Sequence, residues 1–224
     1  MTLLIKICGL STPDTLEVAL EAGADMVGFV FFPPSPRHLD GRLAETLGRR
    51  VGGRARKVAL TVDADDALLA TIIDCLDPDL LQLHGREPPA RVSAVKRRFG
   101  RAVIKAIPVG APGDLDAVSA YAAVTDYVLF DARPPRSATR PGGLGSAFDW
   151  RLVEDLDPGV PFMLSGGLDP ENVARALALT RPAGVDVSSG VERAAGEKDP
   201  EKIRAFIRAA REAVTPENAA ARSA

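Results

Sequence analysis

The chain has 224 residues, 46% of them hydrophobic, which is enough to bury one full core, and nothing in the composition asks for a second domain. Its 28 basic and 30 acidic residues leave a formal charge of −2, so neither nucleic acid nor a membrane surface is expected as a partner. The cysteines, Cys8 and Cys75, form neither a disulfide framework nor a metal-ligand pattern. No run reaches the length of a membrane span, and Lys6 and Gly9 interrupt what would have to be the apolar part of a secretion signal, so a cytoplasmic protein is expected.

Short continuous runs rich in Val, Ile and Leu occur at residues 3–7, 26–31, 58–62, 80–83, 103–107, 127–130, 162–164 and 185–187. Continuous rather than alternating apolar runs predict strands covered on both faces, as in a parallel sheet. Helix starts lie between them: Thr12-Pro13-Asp14, Asp169-Pro170-Glu171 and Asp199-Pro200-Glu201 each place a capping residue before Pro. After the last of these, Ile203, Phe206, Ile207 and Ala210 mark one helical face. Eight strands alternating with about eight helices predict an α/β fold, a single (β/α)8 TIM barrel over residues 1–214. The alternative, an open doubly wound sheet, lacks the G-x-G-x-x-G expected after its first strand. Residues 215–224 read as a frayed tail. The long connection 132–147 holds three Pro, three Gly and three Arg and reads as a lid or binding loop.

In such a barrel the polar groups just beyond the C-terminal strand ends share one mouth. Strand seven ends in Ser165-Gly166-Gly167 and strand eight in Asp186-Val187-Ser188-Ser189-Gly190. Glycine lets backbone N–H groups approach an anion and the serines add donors, so these adjacent loops point to a phosphate, although either alone could be a tight turn. Gly142-Gly143-Leu144-Gly145, in the long loop, could close over the same anion, with Gly143 and Gly145 offering backbone donors, or serve only as a flexible lid. Cys8, at the first strand end, is either a small buried hydrophobe or a base. With a free-thiol pKa of about 8.5 it needs help from positive charge; Lys6 lies on the same side of its strand but deeper, there to serve either the barrel interior or the site's electrostatics.

Asp131 follows an apolar run, where burial would raise its pKa and keep a proton available; it could instead cap a turn or pair with Arg133. A carboxyl that gives a proton opposite a thiol that takes one is what an isomerase needs. Arg37, in a Pro-braced loop, could clamp a carboxylate bidentately or simply be solvated. His84 faces the mouth. Asp186 either orders the site or holds a substrate hydroxyl. The histidines are not spaced as a metal pair, so no metal and no cofactor are expected.

Taken in order, Lys6-Ile7-Cys8-Gly9-Leu10, Gly23-Ala24-Asp25, Val27-Gly28-Phe29-Val30-Phe31, Gln82-Leu83-His84-Gly85, Phe148-Asp149-Trp150, Leu164-Ser165-Gly166-Gly167-Leu168, Pro170-Glu171-Asn172-Val173 and Val185-Asp186-Val187-Ser188-Ser189-Gly190-Val191-Glu192 resemble the phosphoribosylanthranilate isomerases of tryptophan biosynthesis over nearly the whole chain. The resemblance implies an Amadori rearrangement of N-(5′-phosphoribosyl)anthranilate to 1-(2-carboxyphenylamino)-1-deoxy-D-ribulose 5-phosphate. It implies Asp131 as general acid at the furanose ring oxygen and Cys8 as general base at C2′. It places Arg37 at the anthranilate end and the loops after strands seven and eight at the phosphate. One departure stands out: Leu144 and Ser146 replace a polar and a basic residue of the family's phosphate-side loop, which leaves only the backbone of Gly143 and Gly145 there. Two alternatives remain, a related sugar-phosphate isomerase of histidine biosynthesis, which uses paired aspartates, and a non-catalytic phosphosugar-binding barrel. The expected partner is a small phosphorylated substrate, and the protein is expected to be a monomer or homodimer.

Overall fold

A computed structural model describes residues 2–135, 137–138, 140–143, 145 and 147–215. Eight parallel strands close into a barrel in chain order: β1 (Leu4–Cys8), β2 (Met26–Phe31), β3 (Arg56–Thr61), β4 (Leu80–Leu83), β5 (Ala102–Val109), β6 (Tyr127–Ala132), β7 (Phe162–Leu164) and β8 (Gly184–Val187). The helices are α1 (Pro13–Glu21), α2 (Gly41–Val51), α3 (Asp66–Leu76), α4 (Pro89–Phe99), α5 (Val118–Ala122), α6 (Val173–Thr180) and α7 (Pro200–Ala213). The expected barrel and all eight expected strands are present. Between β6 and β7, however, a 3-10 turn at Trp150–Val153 stands where the alternation called for a helix. A short antiparallel hairpin, β9 (Glu192–Ala194) and β10 (Glu197–Lys198), intervenes before α7.

Two of the three helix starts form as expected. Thr12 Oγ1 accepts the Thr15 N–H at 3.3 Å, and Asp199 Oδ1 accepts those of Glu201 at 2.9 Å and Lys202 at 3.2 Å. The third is corrected. Asp169 Oδ1 accepts from Glu171 and Asn172 in a local turn, and α6 begins only at Val173. The expected face of α7 is buried, each large side chain contributing about 1.5–3 kcal/mol. The expected tail 215–224 lies outside the described residues beyond Thr215.

Strand alternation separates two apolar sets. Ile5, Ile7, Val27, Phe29, Leu81 and Val128 belong to the layer under the helices, whereas Met26, Val58, Leu80, Ile104, Ala106, Leu129 and Met163 fill the barrel interior. Because a strand repeats every two residues, each step of two from an interior residue toward the C-terminal end moves one layer nearer the mouth. That parity carries Leu4 to Lys6 and Cys8, Leu80 to Gln82 and His84, Leu129 to Asp131, and Met163 to Ser165. By the same count, Gly184, whose Cβ position would lie 3.1 Å from Met163 Cε, leads to Asp186 and Ser188.

Candidate active site

Closure of the barrel pairs β1 with β8 in a register that sets Lys6 beside Asp186, and Lys6 Nζ donates to Asp186 Oδ1 at 2.8 Å with the lysine fully buried. Burial alone would lower the Lys6 pKa, but the interactions led by the Asp186 charge outweigh it and the pKa is raised, so the ammonium persists. On the other flank, β2 sets Gly28 opposite Cys8. A Cβ at Gly28 would stand 2.9 Å from Cys8 Sγ and 3.1 Å from Lys6 Nζ, so this glycine leaves the room in which thiol and ammonium sit. Burial pushes the Cys8 thiol up, and the opposing pull of Lys6 does not cancel it. The thiol is therefore the resting form, and the help expected from Lys6 is real but partial.

Asp131 faces the same mouth from β6. Its carboxyl does not end among apolar groups as expected: Oδ1 accepts the Ala132 N–H at 2.9 Å and Oδ2 meets His84 Nε2 at 3.2 Å. Gln82 Nε2 lies 3.1 Å from His84 Nδ1, and with the amide donating there, the imidazole proton sits on Nε2 and points at Asp131. Ala106, the interior residue of the intervening β5, is short enough to let His84 reach across. The alternative pairing with Arg133 is absent, since that guanidinium pairs with Asp114.

Arg37 is buried, not solvated. Nor is it a free clamp. Its Nε and Nη2 each donate to a different oxygen of Glu192 at 2.7 Å, and Nη2 also reaches the Gly143 carbonyl at 3.2 Å. Nη1 has no hydrogen bond among the described residues. Gly143, expected on the phosphate side, instead lies on Arg37, at φ +68° with its Cβ position 2.6 Å from Nη1. Gly142 seats against the other pair, its Cβ position 2.6 Å from Asp131 Oδ2 and 2.8 Å from His84 Nε2. Gly145 is the loop glycine nearest Ser189. The long loop thus covers both Arg37 and Asp131; Leu144 and Ser146 lie outside the described residues.

Beyond β7 and β8, Ser165, Gly166, Gly167, Ser188 and Ser189 line the same cavity as Cys8, His84, Asp131 and Arg37, and Gly190 follows in the 3-10 turn Ser189–Val191. The N–H groups of Gly166 and Gly167 donate no hydrogen bond among the described residues, and both residues have positive φ, +81° and +67°. Asn172 Nδ2 holds the Gly167 carbonyl at 2.9 Å. β7 and β8 lie between β6 and β1 on the closed barrel, so these donors stand between the carboxyl of Asp131 and the thiol of Cys8. Val30, Phe32, Leu60 and Val62 form an apolar wall on the β2–β3 side.

A family model described as N-(5′-phosphoribosyl)anthranilate (PRA) isomerase matches residues 5–209. The chain belongs to this family. It is 65% identical over 211 residues to the N-(5′-phosphoribosyl)anthranilate isomerase of Bradyrhizobium diazoefficiens, covering 94% of this chain and 95% of the relative. The crystal structure of phosphoribosylanthranilate isomerase from Thermotoga maritima superposes with a TM-score of 0.85 at 33% identity, covering 94% of this chain and all of that one. A crystal structure of the isomerase in complex with reduced 1-(o-carboxyphenylamino)-1-deoxyribulose 5-phosphate superposes with a TM-score of 0.82 at 31% identity, with 94% and 100% covered.

Within this isomerase the residues singled out at the strand ends line one mouth, except Gly190, which packs against Leu168 and Asp169. The sequence reading assigned no role to Gly28, Gln82, Asn172, Glu192 or Lys198. Two of these carried a usable signal: a glycine within an apolar strand marks close approach of another group, and a glutamine among leucines marks a polar layer. Lys198 gave none, because a lysine before a helix cap looks like any solvated lysine.

Proposed function

We propose that this chain isomerises N-(5′-phosphoribosyl)anthranilate by proton transfers at Asp131 and Cys8. The observation that carries the proposal is that a carboxyl from β6 and a thiol from β1 flank the serines of the β7 and β8 loops and the Gly166 and Gly167 N–H groups, which donate no hydrogen bond among the described residues. A phosphate held there stretches its ribose between the two. The anthranilate ring lies toward Val30, Phe32, Leu60 and Val62, with its carboxylate at Arg37 Nη1. Asp131 gives its proton to the furanose oxygen as the ring opens to an iminium, and His84 holds the carboxyl in place throughout. Cys8 has first to surrender its own proton to water, and the positive iminium beside Sγ joins Lys6 in favouring the thiolate. The thiolate then takes the C2′ proton, and the resulting enolamine tautomerises to the ketone. An aldose-to-ketose shift of this kind needs only an acid, a base and anchors for the two anions. We place the enzyme in the cytoplasm, as a monomer or homodimer.

The test is turnover of freshly made phosphoribosylanthranilate, followed by loss of its fluorescence. Cys8→Ser and Asp131→Asn should each lower kcat by about a hundredfold or more with KM little changed. Near-normal rates in either variant would reassign that role.

A further inference from the structure

Lys198 is 5% exposed, yet no step above uses it. Its ammonium donates to Glu192 Oε1 at 2.7 Å, to the Ser188 carbonyl at 2.9 Å and to Ser188 Oγ at 3.3 Å. Glu192 is the carboxylate that holds Arg37, and its Oε2 also takes the Gly196 N–H at 3.2 Å. One buried carboxylate is therefore shared by two cations. The β9–β10 hairpin exists in the right place to do this: it turns the chain back so that Lys198, six residues after Glu192, returns to the end of β8. Lys6 and Asp186 cancel each other nearby, so Arg37, Lys198 and Glu192 leave one net positive charge buried beside the mouth.

We propose that Lys198 is a positioning residue that ties together the two anion-binding ends of the site. Through Ser188 it sets the phosphate-side strand end, and through Glu192 it sets the guanidinium that meets the substrate carboxylate. This rests on the reading of the mouth given above, and it adds a charge and a linkage which that reading does not contain. A lysine serving only to fasten the hairpin would gain more from a carboxylate of its own, because burying an ammonium whose counter-charge is shared with a second cation opposes folding. Burial, only partly offset by Glu192, lowers the Lys198 pKa to about 8. The charged groups that face it are Glu192 and Arg37, with the Cys8 thiol beside them. As pH rises through 8 the ammonium is lost, Glu192 is left to Arg37 alone, and the mouth loses its net positive charge.

The experiment compares wild type, Lys198→Met, Lys198→Arg and Glu192→Gln. It measures KM and kcat for phosphoribosylanthranilate, inhibition by inorganic phosphate and by anthranilate, and the melting temperature. Lys198→Met should raise KM at least about tenfold, the loss expected for a charged hydrogen bond, with kcat within about threefold. It should weaken both inhibitors, whereas Lys198→Arg should recover most of the loss. Wild-type KM should climb from pH 7 to pH 9, and that climb should be absent in Lys198→Met. A lower melting temperature with wild-type KM, or an unchanged pH dependence of KM, would overturn the proposal. If Lys198→Met does not fold, Glu192→Gln decides: altered inhibition by both anthranilate and phosphate supports the linkage, and a change confined to anthranilate, or no change in either, refutes it. Calorimetric titration of wild type and the variants with inorganic phosphate needs no turnover, so a wild type that binds phosphate without isomerising would count against the proposed activity and leave the Lys198 comparison standing.

Discussion

Gly28→Ala adds one methyl group at the centre of the site. The position has ordinary strand geometry, so alanine meets no backbone strain there and, on conformational entropy alone, should gain about 0.5–1 kcal/mol over glycine. Packing works the other way. The new carbon would stand 2.9 Å from Cys8 Sγ, 3.1 Å from Cys8 Cα and 3.1 Å from Lys6 Nζ, whereas ordinary carbon contacts fall near 3.5–4.0 Å. The thiol and ammonium can rotate away by roughly half an ångström, but the Cα cannot, so β1 and β2 must part slightly. Overpacking of this kind costs about 1–3 kcal/mol, which after the entropic gain of about 0.5–1 kcal/mol leaves a net loss of at most roughly 2.5 kcal/mol and a melting temperature lower by a few degrees. Catalysis should suffer more. A base displaced by a fraction of an ångström from C2′ is expected to lower kcat by roughly tenfold to a hundredfold, with KM less affected. The fluorescence assay beside a thermal melt measures both, with Gly113→Ala, whose Cβ position meets nothing closer than 3.9 Å, as the control. A Gly28→Ala enzyme with wild-type kcat would refute the claim that this glycine makes the room in which Cys8 works.

Gly142→Ala should place a methyl group against Asp131 Oδ2 and His84 Nε2, reducing kcat by roughly tenfold or more with the melting temperature within about 2 °C of wild type; an unaffected kcat would show that the loop does not seat there during turnover. Gln82→Met removes the donor to His84 Nδ1 and frees the tautomer, so kcat should fall about tenfold, and a ring-nitrogen NMR spectrum should show mixed His84 protonation where the wild type shows one form. Burial raises the Glu192 pKa but Arg37 and Lys198 overcome it, holding the group below its ordinary value of 4.5. Its stabilising contribution is therefore complete above about pH 4.5 and is lost as pH falls through the lower folded value. Melting curves from pH 7 to pH 3 should accordingly fall less steeply at the acid end for Glu192→Gln, and parallel curves would count against it.

The barrel was legible in the sequence because both of its signals are local. Strands covered on two faces read as continuous apolar runs, and Thr12 and Asp199 announce their helices through bonds to amides two or three residues away. The same locality made Asp169 misleading, since an aspartate before Pro-Glu closes a turn as readily as it caps a helix, and Asn172 drew that turn toward Gly167. The candidate catalytic residues were legible for a related reason: strand parity sends Cys8, His84, Asp131 and Asp186 to one end of one interior. What each of them meets there could not be read. Lys6 finds Asp186 across 180 residues, Arg37 finds Glu192 across 155, and His84 finds Asp131 across 47. Those pairings follow from closure of the barrel at β1 and β8, from the register between neighbouring strands, and from a hairpin that returns Lys198 to Ser188. The sequence by itself determined which residues point into the mouth; the closed sheet decided which charges are neutralised there, and so left Arg37 with one nitrogen unbonded among the described residues and Cys8 as a thiol.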